Sequence, residues 1–220
     1  MGIRLAKLDL MNGLTNLDSH IYELFEFKPR KGDLKKMEII MAAIECIATI
    51  GFEKTTYEAI AKKIGTRRAH VAYHFKDKAD IFEACIKYIM ASYQQTSINR
   101  IEAAKDGLEM LVNYAEAPFL WAEENPEQLS VMLLFYYLCT VDEKYMELHN
   151  AIRSGGVERI QYILTNKLTK KIPAKDAAPM AKMIQNLVSG SIMDVTTTGT
   201  KTLKQARQDI KKQVLRIISQ

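Results

Sequence analysis

Apolar residues recur at helical spacing along most of the chain, and glycine, proline and short polar runs interrupt the pattern. This arrangement predicts amphipathic helices joined by tight turns. The predicted helices cover residues 34–50, 57–63, 67–75, 78–99, 104–124, 127–140, 142–168, 177–198 and 202–218. Asp33, Thr56 and Asp77 are suitable N-caps, and Pro118 is expected to kink its helix. The fold class that follows is all-α.

A separate apolar stripe lies in the first 33 residues, at alternating spacings of four and three: Leu10, Leu14, Leu17, Ile21 and Leu24. We expect either an extra helix, packed on its own domain or on a dimer mate, or a poorly ordered leader. A membrane-surface helix is less favoured because the polar face is not basic. Residues 28–31, Lys-Pro-Arg-Lys, form a basic linker, which is either solvated or an arm that touches DNA.

Residues 55–80 have the pattern of two short helices joined by a glycine turn. Their apolar positions face each other across the turn: Ile60, Ala61, Ile64, Val71 and Phe75. Gly65 lies between the helices and can take the positive φ that a tight turn requires. The outward face of the second helix carries Arg67, Arg68, His70, Tyr73 and His74. A basic, aromatic second helix is typical of a helix-turn-helix that enters the major groove.

Residues 39–82 resemble the DNA-binding domain of the TetR family of bacterial transcriptional regulators. The matching features are Ala42-Ala43, Gly51-Phe52, Thr55-Thr56, Ile60-Ala61, Gly65, Tyr73-His74-Phe75 and Lys78. The family usually has a small hydroxyl residue in place of Arg67, so Thr66 is expected to cap this helix, and an aromatic residue in place of Ala72. The resemblance implies an N-terminal three-helix DNA-binding domain followed by a C-terminal helical ligand-binding and dimerisation bundle. We therefore expect an extension over residues 1–33, a helix-turn-helix domain over 34–80 and an effector and dimerisation domain over 81–220.

The predicted DNA-binding residues are Thr56, Tyr57, Thr66, Arg67, Arg68, His70, Tyr73, His74 and Lys78. The two arginines lie at the helix end that enters the groove and can contact either guanine or phosphate, while His70 is expected at a base edge, a phosphate or in solvent. Tyr73 and His74 match family positions that meet the DNA backbone. Residues 28–78 hold 12 Lys and Arg against 6 Asp and Glu, in a chain of net charge +5. This local excess of positive charge favours double-stranded DNA as a partner.

Methionine and aromatic residues are frequent between residues 104 and 195. They form either ordinary core or an adaptable apolar pocket. The candidate pocket residues are Met110, Tyr114, Phe119, Trp121, Met132, Phe135, Tyr136, Cys139, Tyr162 and Met183. Because few charged groups lie within these stripes, we expect a small-molecule effector that is apolar or aromatic.

Apolar stripes also mark the last two helices, which in the family pair with their copies in a second subunit. The resemblance thus implies a homodimer, with an interface at Met180, Ile184, Leu187, Val188, Ser191, Leu203, Ala206, Ile210, Val214 and Ile217. The alternative is that both stripes face only the core of their own chain.

The sequence favours a sequence-specific DNA-binding transcriptional regulator, a ligand-responsive repressor that binds a palindromic operator as a dimer. A helical protein-binding adaptor and a constitutive DNA-binding protein without an effector are the alternatives. The chain lacks the GxSxG, Walker, HExxH and dinucleotide motifs, and Cys46, Cys85 and Cys139 form no metal-binding pattern. We therefore expect no enzyme activity, cofactor or metal. Without a secretory pattern or about 18 consecutive apolar residues, we expect no membrane association and a cytoplasmic location.

Overall fold

The computed structural model describes residues 31–219, with side chains from Leu34 onward, and the regular elements in this range are all helical. They are α1 (Lys31–Ile50), α2 (Tyr57–Lys63), α3 (Arg68–His74), α4 (Lys78–Glu102), α5 (Gly107–Glu124), α6 (Pro126–Leu138), α7 (Glu143–Tyr162), a π-helical turn (Ile163–Lys167), α8 (Ala174–Thr198) and α9 (Leu203–Ile218). The all-α prediction is confirmed. The helix and the basic arm predicted before residue 31 lie outside the described residues.

Two helices start where capping residues in the sequence predicted them to start. The Ala59 N–H donates to Thr56 Oγ1 over 3.2 Å at the start of α2. The Asp80 N–H donates to Asp77 Oδ1 over 2.8 Å at the start of α4. Both side chains satisfy a backbone donor that the helix itself leaves free. These two capping predictions are confirmed.

Other helix ends differ from the prediction. Helix α1 begins at Lys31, so Asp33 lies inside its first turn and is not the N-cap. Helix α5 passes through Pro118, which is buried within it. The last turn of the segment predicted as one helix over residues 142–168 is a π-helix.

One apolar core, which we call the first core, runs from α1–α4 into α5, α6 and α7. Phe82 of α4 is fully buried, with its ring centroid 5.3 Å from that of Phe52 and 5.5 Å from that of Tyr145. The Lys144 ammonium pairs with the Glu83 carboxylate beside this contact. The DNA-facing helices and the bundle therefore share buried contacts across the predicted boundary at residue 80.

The second core lies between α5, α7, the π-helical turn, α8 and α9. Gly107 permits the closest approach in it, because a Cβ there would lie 2.0 Å from the Lys167 carbonyl oxygen. No helix among residues 31–219 is both long enough and apolar enough to cross a bilayer.

The second core contains half of the residues predicted for the dimer interface. Five of its residues are buried within the chain itself: Ile184, Val188, Ala206, Ile210 and Val214. Helix α9 packs on α5 and α8 packs on α7, so the apolar stripe of each helix faces its own chain. These five residues thus contribute to the core of their own chain, and their contact with a second subunit stays a prediction. The remaining five are half-buried: Met180, Leu187, Ser191, Leu203 and Ile217.

Candidate nucleic-acid interface

The turn between α2 and α3 fixes how α3 is presented. Gly65 has φ of 64°, as the turn requires, and the Thr66 N–H donates to the Ala61 carbonyl over 2.9 Å. Val71 is fully buried and Phe75 is 5% exposed, so they hold one side of α3 against the first core. The opposite side of the helix is free to meet another molecule.

The exposed side of α3 carries residues that the sequence analysis predicted to bind DNA. Arg67, Arg68 and His70 are exposed, and Tyr73 is 84% exposed. An exposure this high for a tyrosine is unusual, because an aromatic ring normally buries much of its surface. The arrangement leaves guanidinium, imidazole and phenol groups together on one convex face.

Tyr57 has a different place from the one predicted. Its hydroxyl donates to the Phe75 carbonyl over 3.0 Å, and its ring is half-buried beneath the Arg68 guanidinium, 6.0 Å from the ring centroid. Burial is the main cause that raises the pKa of the Tyr57 phenol. The hydroxyl therefore ties the start of α2 to the end of α3 and is already bonded within the chain.

Thr66 also differs from its predicted role as the cap of α3. The helix begins at Arg68, and Arg67 occupies the N-cap position without a capping side chain. The Thr66 hydroxyl lies 2.9 Å from His70 Nδ1, within hydrogen-bond distance. Since the hydroxyl is directed at a ring and not at a backbone N–H, the capping prediction is wrong.

The two histidines of α3 contact each other one helical turn apart. The ring centroids of His70 and His74 are 5.3 Å apart, and Tyr73 meets His74 edge-on at 5.2 Å. Burial first, and then the charges of His70, Lys36 and Lys35, lower the pKa of His74. These effects favour the neutral form of His74.

Two lysines of α1 belong to this surface although the sequence analysis did not name them. Lys36 lies with its ammonium 5.2 Å from the Phe75 ring centroid, and both Lys35 and Lys36 act electrostatically on His74. Both lysines lie in the basic stretch of residues 28–78. That excess of positive charge was the sequence signal that could have identified them.

Thr56 and Lys78 flank α3 at the starts of α2 and α4. The Lys78 ammonium donates to the Glu53 carbonyl over 3.2 Å and lies 4.0 Å from the Phe52 ring centroid. An ammonium has three donors, so this bond leaves two of them for a phosphate. Among residues 31–219 there is no group of three or more His, Cys, Asp or Glu side chains that could hold a metal ion.

Comparison with known proteins places this surface in a family. Residues 39–85 match the family described as bacterial regulatory proteins, tetR family. The HTH-type transcriptional regulator BetI of Stenotrophomonas maltophilia is 23% identical over 165 residues, which are 74% of this chain and 82% of that protein. Residues 39–85 are therefore similar to the DNA-binding part of the tetR family.

Other relatives match the chain less completely or only in fold. BetI of Klebsiella pneumoniae is 27% identical over 74 residues, 34% of this chain and 38% of that protein, so this match spans well under half of the relative. A solved structure from Saccharomonospora viridis, described as a transcriptional regulator in complex with choline, shares the fold with a TM-score of 0.71. It is 21% identical and the match covers 81% of this chain and 94% of that one. The curated relatives are named as regulators, in agreement with the expectation that the chain is not an enzyme.

The structure distributes the predicted effector-pocket residues over both cores. Those in or against the first core are Trp121, Met132, Phe135, Tyr136 and Cys139, and those in or against the second are Met110, Tyr114 and Phe119. Tyr162 is half-buried, with the Lys167 ammonium 5.4 Å from its ring centroid. Met183 is 47% exposed, so the prediction that it lines an interior pocket is corrected.

Tyr93 of α4 is a bundle residue that the sequence analysis missed. Burial is the main cause that raises its pKa well above the ordinary value, and Tyr114 and Tyr136 are close enough to add to that rise. Its ring centroid lies 6.0 Å from that of Trp121. Tyr93 thus contacts one predicted pocket residue, Trp121, and lies in the electrostatic neighbourhood of two more, Tyr114 and Tyr136.

Proposed function

We propose that this protein is a TetR-family transcriptional regulator that binds a palindromic operator as a homodimer and leaves it when a small molecule enters the bundle. The observation that carries the proposal is the exposed face of α3, with Arg67, Arg68 and Tyr73 outward while Val71 and Phe75 anchor it. A helix held in this way can lie in the major groove with its first residues at the base edges.

Charge and geometry support DNA over a protein partner for this face. A guanidinium can donate two hydrogen bonds to guanine O6 and N7, or it can contact a phosphate. Lys36 and Lys78 add positive charge beside the same face, and the Lys78 ammonium is held by the Glu53 carbonyl and not by a carboxylate. The Lys35 ammonium pairs with the Glu38 carboxylate. One short helix covers few base pairs, so two copies about 34 Å apart are needed for a specific palindrome.

Arg68→Ala tests the DNA-binding part of the proposal. The probes are a duplex selected by the wild-type protein from a randomised pool and a random duplex of equal length. We expect affinity for the selected duplex to fall by about 5- to 150-fold, the loss of one good guanine contact, and affinity for the random duplex to fall much less.

Lys105→Ala is the matched control because Lys105 is an exposed cation between α4 and α5, outside both α3 and the proposed dimer surface. It should leave both affinities unchanged. Equal losses on both duplexes for Arg68→Ala would assign Arg68 to phosphate, and a wild-type protein that ignores duplex DNA at low salt would overturn the proposal.

For the effector, we propose an apolar or aromatic small molecule bound among the rings of α4–α6. The support is the set of aromatic residues around Tyr93, namely Tyr114, Trp121 and Tyr136. Since a fold neighbour was solved with choline, choline is a suitable first compound in a panel that is tested for release of the selected duplex. A panel without effect would leave a constitutive DNA-binding protein.

The homodimer is proposed through the sides of α8 and α9 that the second core leaves uncovered. An open groove of about 400 Å³ lies there, with Leu187, Gly190 and Asp209 among its lining residues. Met183 adds an exposed apolar side chain on α8. Sedimentation equilibrium of the full chain tests this, and a monomer at micromolar concentration would contradict it.

A further inference from the structure

The contact between Thr66 and His70 is an interaction of α3 that its fold does not require. The Thr66 hydroxyl lies 2.9 Å from His70 Nδ1, while α3 starts without a side-chain cap. The backbone of Thr66 is anchored by its N–H, which donates to the Ala61 carbonyl. The hydroxyl is therefore held in place, and it is directed at an exposed ring on the face proposed to meet DNA.

A hydrogen bond to one imidazole nitrogen determines what the other nitrogen can do. In neutral histidine one ring nitrogen donates and the other accepts, and the Thr66 hydroxyl can act as donor or acceptor, so the direction of its bond to Nδ1 corresponds to the tautomer. When the Thr66 hydroxyl donates to Nδ1, the proton lies on Nε2, at the far side of the ring. The tilted contact between the His70 and His74 rings, with centroids 5.3 Å and planes 40° apart, restricts the His70 ring further.

We propose that Thr66 is a positioning residue that holds His70 as the Nε2–H tautomer, so that His70 donates to an acceptor on a base edge in the major groove. Guanine N7 and O6, adenine N7 and thymine O4 are the acceptors there, while cytosine offers only a donor. The pair would act as one unit that discriminates against cytosine at one position of the operator strand. This inference rests on the proposed DNA-binding function.

The tautomer is measured on the full chain without DNA, so this part is independent of the proposed function. The ¹⁵N chemical shifts of the His70 ring, recorded where the ring is neutral, should show Nε2–H in the wild type and in Thr66→Ser, which keeps the hydroxyl. Thr66→Val keeps the side-chain shape without the hydroxyl, and the shifts should move towards a mixture of tautomers. Unchanged shifts in Thr66→Val would overturn the proposal.

Base preference is measured with the selected duplex and its single base-pair variants. Thr66→Val and His70→Ala should reduce preference at the same position, each by roughly 2- to 13-fold, the range for one hydrogen bond. The double variant should lose no more than His70→Ala alone, because the two residues act together. Losses at different positions, or additive losses, would refute the pairing.

Thr140→Val is the matched control, since the Thr140 hydroxyl donates to the Tyr137 carbonyl outside α1–α4. It should change neither the His70 shifts nor the base preference. A wild-type protein that shows the expected tautomer but binds no duplex would refute the proposed function and not the Thr66–His70 bond.

Discussion

The same substitution, tyrosine to phenylalanine, should have different effects at Tyr57 and at Tyr73. Both were predicted to bind DNA, but the Tyr57 hydroxyl donates to the Phe75 carbonyl, while Tyr73 is 84% exposed. Replacement by phenylalanine removes one hydroxyl and keeps the ring in each case. Tyr57→Phe should therefore lower stability, and Tyr73→Phe should lower DNA affinity.

The magnitudes follow from the surroundings of each hydroxyl. A hydrogen bond between neutral groups contributes about 0.5–1.5 kcal/mol net, so Tyr57→Phe should lower the free energy of unfolding by about 1 kcal/mol. For a chain of this size, that corresponds to a fall in Tm of about 2–4 °C. Tyr73→Phe should change stability by less than about 0.5 kcal/mol, as expected for an exposed site. If the Tyr73 hydroxyl donates to a phosphate, its loss should weaken DNA binding by roughly 10-fold or more.

Urea unfolding gives the stability of each variant, and fluorescence anisotropy with the selected duplex gives the affinity. The DNA titration is made at a temperature where both variants are fully folded, so the two quantities are separate. If Tyr57→Phe weakens DNA binding at unchanged stability, its hydroxyl is a DNA contact and the structural role is refuted. If Tyr73→Phe binds as well as the wild type, the phenol has no part in the interface.

Two further predictions concern packing and pH. Gly107→Ala would place a Cβ 2.0 Å from the Lys167 carbonyl oxygen, so it should lower the free energy of unfolding by about 1–3 kcal/mol. Gly190→Ala meets no atom within 4 Å and should raise it by about 0.5–1 kcal/mol, because alanine favours a helix more than glycine; urea unfolding that gives the same sign for both would contradict this reasoning. Burial first, and the charge of Arg153 second, lower the pKa of His149 below 6.5, so the folded state binds fewer protons than the unfolded one in mildly acidic solution. The stability contributed by His149 should be complete near pH 7 and should decrease as pH falls through 6.5 towards the folded pKa. His149→Gln should flatten this decrease in unfolding measured at pH 7 and 5, and an unchanged slope would exclude His149 as its source.

The helix-turn-helix could be predicted closely because its signals are local. The side chains of Thr56 and Asp77 each accept a hydrogen bond from the backbone N–H three residues later. Gly65 takes the positive φ that the turn requires. Such features need no knowledge of distant residues. The predicted role of Thr66 was wrong because a hydroxyl near a helix start can reach either a backbone N–H or a nearby side chain. Only the structure shows that its partner is His70.

The bundle was harder to predict because amphipathicity identifies an apolar face without identifying what covers it. Ile184 and Ile210 lie on such faces, and in the structure those faces meet α5, α7 and each other inside one chain. The predicted pocket is ambiguous for the same reason. A buried aromatic residue gives the same sequence pattern whether it lies in a core or in a cavity wall. Tyr93 was missed because its neighbours Tyr114 and Tyr136 come from other helices.

The first core determines how a change in the bundle can reach α3 under the proposed function. Phe82 of α4 contacts Phe52 on the DNA side and Tyr145 of α7 on the bundle side, and Glu83 pairs with Lys144 next to it. Because protein interiors are closely packed, α4 cannot tilt against α7 without remaking these contacts. An effector must therefore select between two arrangements of this core, and it can shift their balance only by the difference in its affinity for the two.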